Sequence, residues 1–193
     1  MARTLAVLLA ALTLLAGCSR PVHFNSTDVT GVEWGRDFNL VDHTGKPHQL
    51  TDFKGKVVAL FFGYTQCPDV CPTTLATMAQ AMKALGSAAD NVQVLFITLD
   101  PERDTPDVLA RYVPAFNPTF LGLSGDAVAT RRTADAFKVF YQKQPGATPN
   151  SYTLDHTSAT YLFDPQGRLR LYGAYGMPAD QLAADMRILL AGK

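Results

Sequence analysis

Cysteine is scarce in this sequence, which has only three among its 193 residues. Small secreted domains that depend on disulfides for stability use far more, so a disulfide scaffold is excluded. Two of the cysteines, Cys67 and Cys71, are separated by three residues, and Cys18 follows the apolar start of the chain. Such sparing use indicates that these thiols serve chemistry rather than cross-linking.

An excess of charge of one sign is also lacking. The chain has 17 basic and 17 acidic residues, and neither sign forms a long run. Proteins that bind nucleic acid usually present a basic patch or stripe, so we expect no nucleic-acid partner. No internal repeat or low-complexity tract divides the chain, and its length suits one globular domain with a substantial core.

Long hydrophobic runs are absent, and the most apolar stretch lies at the beginning. Leu5–Ala16, with one polar interruption, follows Arg3 and precedes Gly17 and Cys18. A helix needs about 20 apolar residues to cross a bilayer, so this stretch is too short for a transmembrane anchor. It predicts instead a lipoprotein signal peptide, residues 1–17, cleaved before a lipidated Cys18. The alternative is an ordinary secretory signal with an incidental cysteine.

The lipidation signal determines the expected location and domain plan. We expect a membrane-anchored lipoprotein of the bacterial cell envelope that faces the periplasm. Residues 18–35 are polar and mixed in composition, which predicts a lipid-anchored tether without fixed structure. Residues 36–193 then form the folded domain.

The central elements of this domain follow from hydrophobic patterns. Val57–Phe62 is a continuous apolar run, typical of a strand covered on both faces of a parallel sheet. A helix is predicted from Pro72 to Gly86, and a second buried strand over Val92–Thr98. A strand, a helix and a strand in this order imply a right-handed parallel crossover.

The remaining pattern extends this α/β unit. The other predicted elements are a hairpin within 38–51, a helix from Thr105, a short strand over 119–123, a helix over 126–141 with Val128, Phe137 and Phe140 available for burial, a hairpin of 159–163 and 169–172, and a helix over 178–190. This order matches a thioredoxin-like fold with extra N-terminal strands and an insertion.

The two neighbouring cysteines lie where chemistry is expected. The loop between the first central strand and its helix reads Cys67-Pro68-Asp69-Val70-Cys71-Pro72. It follows the carboxyl end of a parallel strand, where open α/β sheets place their ligand sites. The free N–H groups and the dipole at the start of a helix lower the pKa of nearby thiols. At this spacing the sulfurs can converge on a metal ion or join in a disulfide.

Two thiolates leave a metal ion undercoordinated, so a third ligand must come from elsewhere. His23 lies in the predicted tether, and His43 and His48 flank the hairpin turn, where solvated side chains are expected. His156 differs because it ends a long polar segment, residues 142–155. We predict that this segment is a loop, free to move, that brings the imidazole to the sulfurs. A capping or core histidine is the alternative at this position.

A set of two thiolates and one imidazole suits copper. Thiolates favour Cu(I), imidazole also suits Cu(II), and copper heads the affinity order of the divalent ions. Zinc usually takes a fourth ligand. Cys67, Cys71 and His156 therefore predict a copper site for both oxidation states, with an open face suited to passing the metal on.

Three segments of the sequence resemble one known family. They read Phe61-Phe62-Gly63-Tyr64-Thr65-Gln66-Cys67-Pro68-Asp69-Val70-Cys71-Pro72, then Thr98-Leu99-Asp100-Pro101-Glu102-Arg103-Asp104, then Asp155-His156-Thr157-Ser158 before Tyr161-Leu162-Phe163-Asp164-Pro165. They are similar to the Sco/SenC family of copper chaperones, and the similarity runs from about Phe38 to the C-terminus. Many relatives have an N-terminal transmembrane helix where this chain has the lipidation signal.

The resemblance implies a function and its residues. In the family, the two motif cysteines and the histidine bind copper, which implies these roles for Cys67, Cys71 and His156. It also implies a thioredoxin-like fold and delivery of copper to the dinuclear copper centre of cytochrome c oxidase, or thiol reduction of that centre's cysteines. The implied partners are the copper-bearing oxidase subunit and other copper-handling proteins.

Four further residues have open roles. Asp100, at the end of the second central strand, and Asp155 can orient His156 or contact a partner, although turn chemistry explains Asp100 nearly as well. Met78 and Met82 are potential thioether ligands, but their helical spacing favours core packing.

A thiol-disulfide oxidoreductase of the envelope is the alternative function, since Cys67 and Cys71 can exchange disulfides without metal. Thioredoxin-type enzymes have a Cys-x-x-Cys spacing and a cis-proline before the hairpin strand. Here three residues separate the cysteines, and Asp155-His156-Thr157 fills that segment. A thiol peroxidase fits less well, because such enzymes carry Thr or Ser three residues before the reactive cysteine, where this chain has Tyr64 and Pro68.

Overall fold

The computed structural model describes residues 22–148 and 151–193, so the predicted signal peptide and Cys18 lie outside the described residues. The strands are β1 (Thr27–Asp28), β2 (Asn39–Asp42), β3 (Pro47–Gln49), β4 (Val57–Gly63), β5 (Val92–Thr98), β6 (Leu121–Ser124), β7 (Tyr141–Pro145), β8 (Tyr152–His156), β9 (Thr160–Phe163) and β10 (Leu169–Gly173). The helices are α1 (Val70–Leu85), α2 (Pro106–Tyr112), α3 (Ala127–Ala136) and α4 (Ala179–Leu190), with 3-10 segments at Leu50–Phe53 and Gly86–Asn91. None of the described helices is long and apolar enough to cross a membrane.

The centre of the sheet is the parallel pair β4 and β5, as predicted. Pairing runs from Val57 opposite Val92 to Gly63 opposite Thr98, and almost every residue of both strands is buried. Their apolar and β-branched residues suit strands covered on both faces. α1 connects the two strands and packs against α4.

The strand order confirms the predicted fold class. The main sheet runs β1-β10-β9-β4-β5-β6-β2-β3, in which β9 and β10 are antiparallel to each other and β9 is antiparallel to β4. The β10-β9-β4-β5 core with α1 and α4 is a thioredoxin-like fold. β2 and β3 form the predicted hairpin and join the sheet beside β6. The inserted segment between β5 and β9 contains α2, β6, α3 and the pair β7–β8.

The prediction of an unstructured tether is wrong for residues 22–35. β1 pairs with β10 at the edge of the main sheet. Just before it, Asn25 and Ser26 donate four hydrogen bonds of 2.6–3.0 Å, from both backbone N–H groups and both side chains, to the fully buried carboxylate of Asp185 in α4. Composition did not reveal this order because it depends on hydrogen bonds to the distant Asp185 and on scattered apolar residues, such as Trp34, that show no periodic pattern.

The prediction of a loop over residues 142–155 is also wrong. β7 and β8 form an antiparallel hairpin that is separate from the main sheet. Tyr152, Leu154 and His156 face the domain, whereas the two intervening residues face solvent. Pro145, inside the segment predicted to be a loop, ends β7. His156 therefore lies at the end of a strand.

The third helix is shorter than predicted. α3 ends at Ala136, and Lys138 adopts a positive φ of 57°, which a helix cannot continue through. Phe137 is buried as expected, but Val128 and Phe140 are exposed. Phe140 is outside the helix, so helical periodicity no longer directs its side chain to the core.

Candidate metal centre

The two cysteines lie between β4 and α1 and differ in exposure. Cys67 is in the connecting loop and partly exposed, whereas Cys71 is in the first turn of α1 and fully buried. The backbone N–H of Cys71 donates to the sulfur of Cys67 over 3.4 Å. A free N–H at the helix start thus contacts a sulfur, as the helix position of the motif predicted.

A buried carboxylate ties the cysteine loop to the end of β5. The carboxylate of Asp104 accepts two hydrogen bonds from Thr65, one from its backbone N–H at 3.0 Å and one from its hydroxyl at 2.6 Å. It accepts a third from the hydroxyl of Thr98 at 2.6 Å. Burial raises the pKa of Asp104, and these three hydrogen bonds oppose the rise. The loop is therefore fixed on the sheet two residues before Cys67.

Gly63 allows the sulfur of Cys71 to sit against the end of β4. A Cβ atom at Gly63 would lie 2.7 Å from Sγ of Cys71 and 2.9 Å from the ring of Phe96. Non-bonded carbon atoms normally stay about 3.5–4.0 Å apart, so a side chain there would have to displace the sulfur or the ring. The close approach of sulfur and backbone depends on this glycine.

His156 reaches the sulfurs from the end of β8. Its Nε2 lies 3.6 Å from Sγ of Cys71, and its Nδ1 lies 2.9 Å from the carbonyl oxygen of Thr157. A carbonyl only accepts, so Nδ1 carries the proton of that bond, and the lone pair of Nε2 points to the sulfurs. The rings of Phe61 and Tyr64 stand edge-on to the imidazole, with centroids 6.2 and 6.0 Å away.

The three ligand atoms fit a single metal ion. The sulfurs of Cys67 and Cys71 and a nitrogen of His156 all lie within 4.8 Å of one another, and no other such group of three exists in residues 22–148 and 151–193. Bonds of about 2.0–2.3 Å from sulfur and nitrogen to one ion place ligands roughly 3.5–4 Å apart. The observed spacing needs little adjustment to meet this requirement.

The two thiols have opposite pKa shifts. Hydrogen bonding from the Cys71 side chain, together with the backbone N–H groups of Cys71 and Asp69, lowers the pKa of Cys67 to about 5. The hydrogen bond to Cys67 and burial raise the pKa of Cys71. The pair therefore shares one proton at neutral pH, with a thiolate at the exposed sulfur and a thiol at the buried one.

The motifs around this site match one family model. The model, described as SCO1/SenC, matches residues 27–191. The chain belongs to the SCO1/SenC family. The curated protein "Protein SCO2 homolog, mitochondrial" from Bos taurus is 39% identical over 153 residues, which are 78% of this chain and 58% of that protein. The chain thus spans less than two thirds of this SCO1/SenC relative.

Solved Sco structures share the fold. Apo Sco1 from Thermus thermophilus is 44% identical, with a TM-score of 0.78 over 87% of this chain and 98% of that one. ScoI from Bradyrhizobium japonicum, solved with copper bound, is 39% identical, with a TM-score of 0.74 over 80% of this chain and 98% of that one. These comparisons confirm the Sco/SenC resemblance.

In this SCO1/SenC protein, neither predicted aspartate is hydrogen-bonded to His156. The carboxylate of Asp100 accepts the hydroxyl of Tyr152 at 2.7 Å and pairs with Arg103. Asp155 faces solvent and accepts from the side-chain amide of Gln144 at 2.8 Å. A contact of either aspartate with a partner protein stays a prediction.

The other histidines do not join the site. His23 is exposed, as expected, and His43 accepts the N–H of Gly122 over 3.2 Å. The prediction that His48 is solvated is wrong, because it is buried with Nε2 2.9 Å from the carboxylate of Asp42. A charged partner across the hairpin makes this burial possible. The predicted core packing of Met78 and Met82 is confirmed by their burial.

Sequence reasoning missed two contributors to the site. Gly63 was part of the quoted motif without a role, although a glycine that ends a buried strand often marks close backbone approach. The carbonyl of Thr157, which orients the imidazole, left no signal in the sequence because every residue has a carbonyl.

Proposed function

We propose that this SCO1/SenC protein binds copper on Cys67, Cys71 and His156 and delivers it to the dinuclear copper centre of cytochrome c oxidase, or prepares that centre by thiol reduction. The observation that carries copper binding is the convergence of two sulfurs and one imidazole nitrogen within 4.8 Å. The copper-bound structure of Bradyrhizobium ScoI supports the choice of metal. The resemblance to the Sco/SenC chaperones supports the oxidase and its copper-bearing subunit as the target.

The protein's own residues account for uptake of copper as cargo. Cys67 is a thiolate at neutral pH, while Cys71 must lose its proton, so binding releases protons and tightens as the pH rises. The Thr157 carbonyl accepts the ring proton on Nδ1 of His156, which leaves Nε2 unprotonated and able to bind a metal ion. Cys67 and His156 are partly exposed, so ligands of an acceptor protein can approach the metal from solvent. Two sulfurs and one nitrogen serve both Cu(I) and Cu(II).

Copper titration with matched histidine variants tests this function. Reduced protein should bind one copper ion per chain. His156→Ala should lower the affinity for Cu(II) far more than the affinity for Cu(I), because the remaining thiolates suit the softer ion, Cu(I). His23→Ala, which removes an exposed histidine, is the control and should bind both ions as the wild type does. Absence of copper uptake by the wild type would contradict the proposal.

Disulfide exchange without metal is the second candidate, and the accessible Cys67 thiolate favours it. Cys67 would attack a target disulfide and form a mixed disulfide, which Cys71 then resolves. The target gains two electrons and two protons, and the chain keeps a Cys67–Cys71 disulfide that an external thiol must reduce. Rapid reduction of protein disulfides by a wild type that takes up no copper would favour this function.

We also propose that Cys18 carries the lipid that anchors the protein in a bacterial envelope membrane, with the domain facing the periplasm. The support is the predicted signal peptide, residues 1–17, and its lipidation signal. The tether then comprises fewer residues than the predicted 18–35, since Asn25 and Ser26 are held by the domain.

A further inference from the structure

The hairpin that carries His156 depends on side chains for its attachment to the domain. Within the described residues, β7 and β8 pair only with each other, so no sheet ladder joins them to the main sheet. Leu154 is the only residue of the two strands that is buried. Tyr141 and Tyr152 are only partly buried against the core, so polar contacts contribute much of what holds the strand and its histidine in place.

One arginine joins the hairpin to the rest of the site. Arg103, in the loop after β5, forms an ion pair with Asp100. Its Nη1 donates to the carbonyl oxygen of Tyr152 at 2.9 Å and to Oε1 of Gln66 at 3.0 Å. Its guanidinium lies 3.5 Å from the centroid of the Tyr152 ring. A single side chain thus contacts β8, the β5–α2 loop and the residue before Cys67.

Asp100 contacts both Arg103 and Tyr152. Its carboxylate is almost fully buried and accepts the Tyr152 hydroxyl at 2.7 Å in addition to pairing with Arg103. A buried carboxylate is costly without partners, so the hairpin and Asp100 stabilise each other. Two further links of β7 involve exposed charged side chains and contribute less: Lys143 pairs with Glu102 at 2.7 Å, and the Arg131 guanidinium lies 4.4 Å from the centroid of the Tyr141 ring.

We infer that Asp100, Arg103 and Tyr152 form a latch that positions His156 over the two sulfurs. Tyr152 and His156 lie on the same face of β8, four residues apart, so fixing one end of the strand fixes the imidazole at the other. The inference rests on the proposed copper function. Arg103 and Tyr152 are positioning residues, since neither is a candidate ligand.

Loss of the latch should affect the two oxidation states differently. Arg103→Ala frees the hairpin, and removing a residue that orients a ligand typically weakens metal binding about 10- to 100-fold. This loss is expected for Cu(II), which needs the imidazole. Cu(I) should change much less, because both thiolates stay in place. Tyr152→Phe keeps the ring under Arg103 and should give a smaller loss in the same direction.

The test uses full-length protein and a double-mutant cycle that combines Arg103→Ala with His156→Ala. Arg103→Ala should lower the Cu(II) affinity when it is introduced into the wild-type protein. It should have no effect when it is introduced into His156→Ala, where the imidazole is already missing. Arg168→Ala is the matched control, because it also removes an arginine paired with a buried aspartate, Asp164, at the opposite end of the sheet. Its Cu(II) affinity should equal that of the wild type.

Amide hydrogen exchange of β8 in the metal-free protein gives a second readout, and it should speed up in Arg103→Ala but not in Arg168→Ala. Equal losses for Cu(I) and Cu(II), or the same loss with and without His156, would overturn the latch. If Arg103→Ala does not fold, Tyr152→Phe carries the same comparison. A wild type without copper affinity would contradict the proposed function, whereas unchanged exchange in β8 would contradict the latch alone.

Discussion

Gly63→Ala should displace the sulfur of Cys71. The new Cβ would lie 2.7 Å from Sγ and 2.9 Å from the Phe96 ring, so one neighbour must move by roughly 1 Å to restore an ordinary contact. Overpacking of this kind costs about 1–3 kcal/mol of unfolding free energy. For a domain of this size, the midpoint of thermal unfolding should fall by about 2–12 °C. A metal site tolerates only about 0.5 Å of misplacement, so copper affinity should fall as well.

Thermal unfolding and copper titration in both oxidation states measure these effects. Because Cys71 is a proposed ligand in both states, Gly63→Ala should weaken Cu(I) as well as Cu(II), unlike Arg103→Ala. Gly173→Ala is the control, because a Cβ there meets nothing closer than 3.5 Å. A Gly63→Ala protein with wild-type stability and copper affinity would refute the packing argument.

Three further predictions address the thiols, the anchor and the N-terminal segment. The rate of alkylation of Cys67 in the metal-free protein should be half-maximal near pH 5, because the thiolate is lost as the pH falls through a pKa of about 5. A midpoint near the ordinary thiol value of about 8.5 would contradict the assigned thiolate. Cys18→Ser should release the protein from membranes in cell fractionation, and unchanged sedimentation would argue against the lipid. Asp185→Ala should lower the unfolding free energy by about 1–3 kcal/mol in denaturant titration, because it leaves the buried donors of Ser26 unpaired and removes the partner of Asn25. An unchanged midpoint would contradict the docking of this segment.

The central sheet could be predicted because its signal is local. Val57–Phe62 and Val92–Thr98 are continuous apolar runs, and the structure gives β4 and β5 nearly the same bounds. The convergence of Cys67, Cys71 and His156 was also predicted, because two thiolates require a further ligand and the other histidines lay in the predicted tether and hairpin turn. The predicted route was wrong, since His156 reaches the sulfurs from a strand and not from a loop.

The attachments at the periphery of the domain were not predictable in this way. The β7–β8 hairpin is polar on its outer face, so its composition indicated a loop. It is held by Arg103, which is distant in the sequence. The burial of His48 depends on pairing with Asp42, and the order of Asn25 depends on Asp185. Hydrophobic periodicity contains no information about such polar contacts between distant segments.

If Cys18 carries the proposed lipid, the docking of Asn25 against α4 limits how far the domain can travel from the membrane. A chain spans at most about 3.6 Å per residue, so a lipid on Cys18 would keep Asn25 within roughly 25 Å of the bilayer surface. A free chain from Cys18 to residue 35 would have allowed roughly 60 Å. With this anchor, the shorter reach would confine the proposed copper exchange to acceptors held near the bilayer, and it would favour encounters within the plane of the membrane over capture from the bulk periplasm.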